Sequence, residues 1–339
     1  MYHKTKCPIC ETEIEKQGFK EIYVSPYNNQ EYKRYECLTC DVHWWEPLKI
    51  IPGFYENEVF EDYIAFHEVV GTRLNENHKA FFKYFPSNVR GRLLDVGCGD
   101  GRFIKHAKET GFEVWGIDFD RKSVENVKRN LGLDTVFAMS LEEFYQYAKE
   151  KGLKFDVITF FEVLEHQDKS KEFLQMVKEL LKDGGYIAGS VPNRESKFIE
   201  DQRKIYRKYY RIDFDHPSHH FLRFSKFALK KALSLYKFKN IKVYELDFTI
   251  EDVFFQIEKK FLGNLDKFKN KFKGVVLRNE RKAKYFTVEE IAEVTPNKIG
   301  AYSLKILKFI KNLILLLFTL PYLGKLSKNG LNLYFEATL

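Results

Sequence analysis

The sequence predicts an α/β fold, a Rossmann-like parallel sheet with helices on both faces, preceded by a small cysteine-rich ribbon. Three observations predict it. Apolar strand patterns alternate with helical ones from residue 91 to residue 250. Residues 92–101 read R-L-L-D-V-G-C-G-D-G, a strand running into a loop with glycine at every second position, Gly97, Gly99 and Gly101. Two C-x-x-C pairs, Cys7/Cys10 and Cys37/Cys40, enclose 26 residues. Alternation of this kind demands right-handed crossovers and therefore a parallel sheet.

The cysteine pairs come first in the chain. Each is a tight knuckle whose thiolates can face one ion, and the intervening length suits a small hairpin, so residues 1–50 are expected to form a zinc ribbon. Four thiolates saturate tetrahedral zinc and leave no position for water. The metal expected on Cys7, Cys10, Cys37 and Cys40 is therefore structural. A redox dithiol and unligated cysteines are the alternatives. Lys4, Lys6, Lys16, Lys20, Lys33 and Arg34 would suit a nucleic acid, but acidic residues interleave with them and no clean basic stripe forms. Trp44 and Trp45 are expected to pack the ribbon against the main domain.

Residues 51–90 hold apolar positions at helical spacing (Val59, Tyr63, Phe66, Val70, Leu74, then Ala80, Phe81, Tyr84) and read as a helical linker or lid that Pro86 ends. From there strands are expected at 93–96, 114–118, 135–138, 157–160, 186–191 and 241–248. Helices are expected at 102–109, 122–130, 141–149, 169–181 and 226–235, the last with Ser225 as N-cap.

The glycine loop points to a nucleoside cofactor. Gly97 and Gly99 carry no Cβ to keep a ligand off the backbone, and the amides opening the next helix attract an anionic group. Asp118, ending the second strand, can grip both ribose hydroxyls. A dinucleotide fingerprint needs a glycine at position 102, which is arginine. The loop D-V-G-C-G-D-G instead resembles motif I of class I S-adenosylmethionine-dependent methyltransferases. Residues 113–120, 155–166 and 180–193 agree with that family in order and spacing, and the resemblance covers residues 91–250. The ending E-V-L-E-H of the 155–166 segment is similar to a subgroup that includes the quinone-biosynthesis O-methyltransferases.

The resemblance implies a seven-stranded methyltransferase sheet whose final strand, at 331–337, runs antiparallel beside the fifth. Residues 91–250 and 326–339 would then form the core, with residues 251–325 inserted before its last strand. It implies S-adenosyl-L-methionine as cofactor. Asp95 would orient the glycine loop and reach the amino group, while Gly97, Cys98, Gly99 and Gly101 wrap the methionine half. Asp118 and Phe119 would meet the ribose, Ser140 and Leu141 the adenine, and Phe161 and Glu162 the region of the sulfonium.

Methyl transfer from a sulfonium is an in-line displacement, so an enzyme mainly aligns the nucleophile and removes its proton. Residues 214–225 place His216, His219 and His220 around Asp215, and this segment resembles one in the same subgroup and in cell-envelope glycan methyltransferases. His219 and His220 are candidates for the base, as is His166, which ends E-V-L-E-H. Structural roles compete: a satisfied cluster for the first two, a cap or a hydrogen bond to Glu165 for His166. A metal on the histidines and Asp213 or Asp215 is conceivable, although their spacing is not diagnostic.

The charge is uneven. Residues 194–285 contain 24 Lys or Arg against 12 Asp or Glu, where the whole chain has 56 against 48. This suits either a solvated helical face or an anionic substrate or membrane surface. In 303–323, Lys305, Lys308 and Lys311 recur among apolar residues before the run at 313–318, and Pro321 closes the segment. Such a helix is too short to span a bilayer. It can lie in the membrane interface or bury against the sheet or a second subunit. No basic-then-apolar leader is present, so a cytoplasmic protein, peripheral at the cytoplasmic membrane face, is expected. The reading is an O-methyltransferase acting on a small-molecule, saccharide, quinone-type or lipid-linked substrate. A nucleic-acid or protein methyltransferase with the ribbon as reader, and a non-catalytic cofactor sensor, are the alternatives.

Overall fold

A computed structural model describes residues 4–50, 74–210, 213, 215–261, 263, 266–277, 288, 291, 295–319 and 330–339. Val59, Tyr63, Phe66 and Val70 of the expected lid, and Pro321, lie outside them. The described chain forms two compact units, one of residues 1–199, 213–246 and 329–339, the other of residues 200–212 and 247–328.

The first unit opens with strands β1 (Lys4–Lys6), β2 (Glu13–Glu15), β3 (Glu21–Val24), β4 (Glu31–Glu36) and β5 (His43–Glu46). β1 pairs with β2, and β3, β4 and β5 form an antiparallel meander. The two cysteine knuckles close in the same way. Glu11 N donates to Cys7 O and Asp41 N to Cys37 O, with Glu11 and Asp41 both at φ 60°. Trp44 and Trp45 are fully buried, as expected, and Trp44 joins the main core with Leu94, Phe160 and Leu229.

Helix α1 (Glu76–Tyr84) starts on an Asn75 cap. The sheet strands and helices then alternate: β6 (Gly91–Val96), α2 (Arg102–Glu109), β7 (Phe112–Asp118), α3 (Arg121–Leu131), β8 (Val136–Ala138), α4 (Leu141–Glu150), β9 (Phe155–Phe161), α5 (Ser170–Leu180), β10 (Leu181–Pro192) and α6 (Ile199–Tyr210). β11 (Leu222–Arg223), α7 (Lys226–Leu235) and β12 (Lys239–Glu245) follow, and β13 (Asn332–Thr338) ends the unit. The seven-stranded order is β12-β13-β10-β9-β6-β7-β8. β6 to β10 pair in parallel, and β13 inserts antiparallel between β10 and β12, as the resemblance implied. Strands buried on both faces explain why β6 and β9 are mostly apolar, with Asp95 and Thr159 the buried polar exceptions. β11 is a departure from expectation: Leu222 and Arg223 pair with Trp44 and His43, making the ribbon meander four-stranded. A two-residue strand carries no periodicity for sequence reading to detect.

The second unit contains most of α6 with α8 (Ile250–Phe261), α9 (Asp266–Leu277) and α10 (Lys298–Thr319). Its ionic centre is the buried Glu258, which accepts from Lys311 Nζ at 2.8 Å and from Lys269. Buried Lys259 lies over the rings of Tyr209 and Phe255. Along α10 the buried residues are Ala301, Leu304, Leu315 and Thr319, a narrow stripe at helical spacing. The apolar run is otherwise exposed, with Leu313 at 56%, Leu317 at 71% and Phe309, one turn earlier, at 68%.

Candidate functional site

The glycine loop sits where the parallel strands end. Gly97, Gly99 and Gly101 all have positive φ (77°, 51° and 76°), which a side chain would strain. A Cβ at Gly97 would also meet Val163 Cγ2 at 2.8 Å. Gly97 N and Cys98 N donate to Ile117 O, and Gly99 N donates to Asp118 Oδ2 at 2.9 Å. Asp118 Oδ1 accepts from Asp120 N. The strand-end carboxylate thus holds both the loop and its own turn.

Position 102 gains a reason from the structure. Arg102 forks onto Asp100, Nε to Oδ2 at 2.7 Å and Nη2 to Oδ2 at 2.5 Å, clamping the loop from within the first turn of α2. In the sequence, Arg102 reads only as a missing glycine. The neighbouring D-G-R spacing is the signal available.

Asp95 is buried beneath the loop and accepts from Thr159 Oγ1 at 2.7 Å. Burial holds its carboxyl up at about 8, with the Thr159 hydrogen bond opposing and the Asp118 charge adding. Cys98 is buried too, its Sγ packed over Gly116, so the thiol is turned into the core. Phe119 stands 53% exposed beside Asp118. Ser140 caps α4 in a capping box, its Oγ accepting from Glu143 N and its N donating to Glu143 Oε2. Leu141 is buried in the core. Phe161 packs edge-on to Phe103 (4.7 Å) and to His78 (4.9 Å), a contact the sequence did not signal.

At the ends of β9 and β10 a second cluster forms. Glu162, at φ 54°, accepts from Ser190 Oγ at 2.8 Å; desolvation holds its carboxyl above the ordinary range against the pull of Ser190 and nearby His220. Glu165 and His166 lie in the single turn after β9. Segment 213–223 brings His219 and His220 to them: His166 Nδ1 donates to His219 O at 2.7 Å, and the His166 and His220 rings meet edge-on at 4.8 Å. His220 lies with Nε2 4.0 Å from Glu165 Oε1 and Nδ1 3.7 Å from Asp215 Oδ1. Asp215 is clamped by Arg223 at 2.6 Å. His166 and His220 therefore meet ring to ring beside Glu165, and His219 joins them through its carbonyl, its own ring lying 5.7 Å from that of Tyr27.

Glu165 is fully buried, and neither carboxyl oxygen has a hydrogen-bond partner among the described residues. Burial raises its acid well above the ordinary range. Donor atoms of Glu165, His166 and His220 lie within 4.8 Å of one another, close enough to hold a cation. Burial, with the His220 charge adding, depresses His219 to about 3 and holds His166 well below the ordinary imidazole value.

The four ribbon thiols also lie within 4.8 Å of one another, Cys7 and Cys40 Sγ at 3.5 Å, Cys10 and Cys37 Sγ at 3.3 Å. A tetrahedral ion with bonds of about 2.3 Å to sulfur needs edges of about 3.8 Å, which this donor set fits.

Residues 66–243 match the methyltransferase domain family. The chain belongs to it. Among curated relatives, the ubiquinone biosynthesis O-methyltransferase of Nitrosomonas europaea is 29% identical over 162 residues, which is 46% of this chain and 60% of that protein. That of Caulobacter vibrioides is 34% identical over 110 residues, 32% of this chain and 43% of that one. The chain thus spans about 60% or less of these two relatives' length. A solved SAM-dependent methyltransferase from Archaeoglobus fulgidus is 19% identical with TM-score 0.43, covering 77% of this chain and 92% of that one. One from Mesorhizobium loti is 20% identical with TM-score 0.40, covering 54% and 90%. The topology of the sheet is that of a class I S-adenosylmethionine-dependent methyltransferase, with a cysteine cluster that fits a zinc ribbon in front.

Proposed function

We propose that this methyltransferase moves the methyl group of S-adenosylmethionine to an oxygen of a small-molecule, saccharide or lipid-linked acceptor, a quinone-type phenol among them. The observation that carries the reading is the gathering of Glu162, Glu165, His166, His219 and His220 at the ends of β9 and β10, on the sheet edge where the glycine loop and Asp118 also end their strands. Ligands of open α/β sheets sit at such carboxyl ends. Gly97, Cys98, Gly99 and Gly101 would meet the methionine half through their backbone, with Asp95 beneath them. Asp118 and Phe119 would take the ribose, Ser140 and Leu141 the adenine edge, and Phe161 and Glu162 the sulfonium side. An imidazole of the cluster would accept the acceptor's proton as the methyl group transfers.

In this reading residues 1–50 form a ribbon around structural zinc held by Cys7, Cys10, Cys37 and Cys40. Residues 91–250 and 326–339 form the cofactor-binding core, and 251–325 a basic insertion that meets an anionic membrane surface at the cytoplasmic face. Calorimetry tests the cofactor assignment: S-adenosylhomocysteine should bind and NAD should not. Asp118→Ala should weaken that binding by roughly 1.5 to 3 kcal/mol, the scale of lost hydrogen bonds to a charged acceptor. Measurable NAD binding would overturn the assignment.

Two imidazoles lie about Glu165, yet neither of its oxygens accepts a hydrogen bond among the described residues, which favours a second reading of the acceptor end. A divalent cation held by Glu165, His166 and His220 would supply charge stabilisation for an oxyanion acceptor. His219 would then position the segment through its carbonyl.

A further inference from the structure

We propose that the cysteine ribbon is a positioning element of the acceptor site: it holds segment 213–223, so that emptying the four-cysteine cluster loosens the histidine end while the cofactor end persists. The inference rests on the reading of that segment as the acceptor end.

The described residues of the segment are anchored to the ribbon at its start, middle and end. At its start, Asp213 N donates to Tyr27 Oη at 3.1 Å. In its middle, Tyr32 Oη and Ser218 Oγ are 3.4 Å apart, and the buried His216 ring packs against Tyr23 (4.5 Å) and Trp45 (4.9 Å). His216 Nε2 lies 3.6 Å from Glu21 Oε1. At its end, Trp45 N donates to Phe221 O at 3.0 Å, and β11 continues the meander beside β5. Asp41, next to Cys40 in the second knuckle, accepts from Arg194 Nη2 at 2.7 Å and from Ser225 Oγ.

On its other side the same segment touches the E-V-L-E-H turn. His219 O accepts from His166 Nδ1, and Phe221 N donates to Glu165 O at 2.9 Å. The histidine segment is therefore a layer between the ribbon and the end of β9. The glycine loop is held differently, by Ile117 O and the Asp118 carboxylate of β7. A ribbon of five strands of three to six residues has little core of its own, and its folding is coupled to the ion it binds. Loss of that ion removes the surface on which the segment lies, and leaves the β6–β7 scaffold intact.

The test compares the full chain as purified with the same chain stripped by a chelator, its zinc content measured in both. Amide exchange over 213–223 in the stripped protein should rise by about tenfold or more, with S-adenosylhomocysteine affinity within about threefold, and added zinc should restore protection. Tyr27→Phe, which keeps all four cysteines and its zinc, should speed exchange at the Asp213 end and lower kcat/KM for acceptor without changing the cofactor's KM. Unchanged protection in the stripped chain, parallel loss of cofactor binding, or no zinc in the purified chain would each overturn the proposal. Exchange that responds as expected in a protein that methylates no oxygen acceptor would keep the coupling and reject the O-methyl reading.

Discussion

Two carboxyl groups near the glycine loop face opposite demands. Asp118 ends its strand in contact with two backbone amides, whereas Asp95 is buried with one hydroxyl for a partner. Because burial holds Asp95 near 8, the folded chain keeps a proton that the unfolded chain sheds near 4. Its stabilising contribution is complete below pH 4 and is lost as pH rises through 8. Without cofactor, stability should fall across that window by up to about 1.4 kcal/mol per pH unit, and Asp95→Asn should flatten the slope in denaturant titrations. A slope unchanged by Asp95→Asn would mean the carboxyl ionises in place. The histidines bear on mechanism in the same way. Burial keeps His219 near 3 and His166 well below the ordinary value. If His219 is the base, turnover should stay level from neutrality down to below pH 5, and if His166 is, the fall should come below the ordinary imidazole range. His166→Asn, His219→Asn and His220→Asn assign the role, the true base losing roughly 100 to 10,000-fold in turnover with cofactor affinity retained. Activity abolished by a chelator that leaves the ribbon zinc in place would instead favour a cation on Glu165, His166 and His220.

At the scale of elements, α10 carries a mostly exposed apolar run whose membrane role is open to a direct test. Leu313, Ile314, Leu316, Leu317 and Phe318 are all at least 39% exposed, beside the buried Leu315 and Thr319. No helix among the described residues is long and apolar enough to cross a membrane. Lys298, Lys305, Lys308 and Lys311 share the helix, which has no acidic residue. Apolar side chains beside lysines suit the headgroup boundary of an anionic bilayer. Liposomes containing anionic lipid should sediment the protein at low salt and release it as salt rises, because the lysine attraction is screened within about 8 to 10 Å. Equal sedimentation with neutral and anionic liposomes would sink that role.

For the whole molecule, charge and chemistry are divided. Residues 200–212 and 247–328 contain 21 Lys or Arg against 11 Asp or Glu, so the second unit carries the excess of the chain and the remainder is close to neutral. The first unit carries the glycine loop, the histidine cluster and the cysteine ribbon together. An excess of positive charge concentrated in one unit attracts anions to that unit.

Local pattern along the chain was enough to read the α/β order, most element bounds to within a few residues, the glycine loop at the strand ends and the two cysteine knuckles. Each of these is a short-range property: a strand buried on both faces is apolar nearly throughout, a loop approached by a ligand needs glycine, and a knuckle needs two cysteines three positions apart. Helices 102–109 and 226–235 were legible to the residue because a glycine-rich turn opens the first and a serine cap the second. What the histidines face was settled by folding. His166 and His219 are 53 positions apart, and Tyr27 and Asp213 are 186 apart, so no periodicity links them. Only the assembled sheet brings the end of β9 beside that segment and lays the ribbon against it. The pKa values, too, follow from burial that the chain acquires on folding, and a pattern along the sequence carries no measure of desolvation.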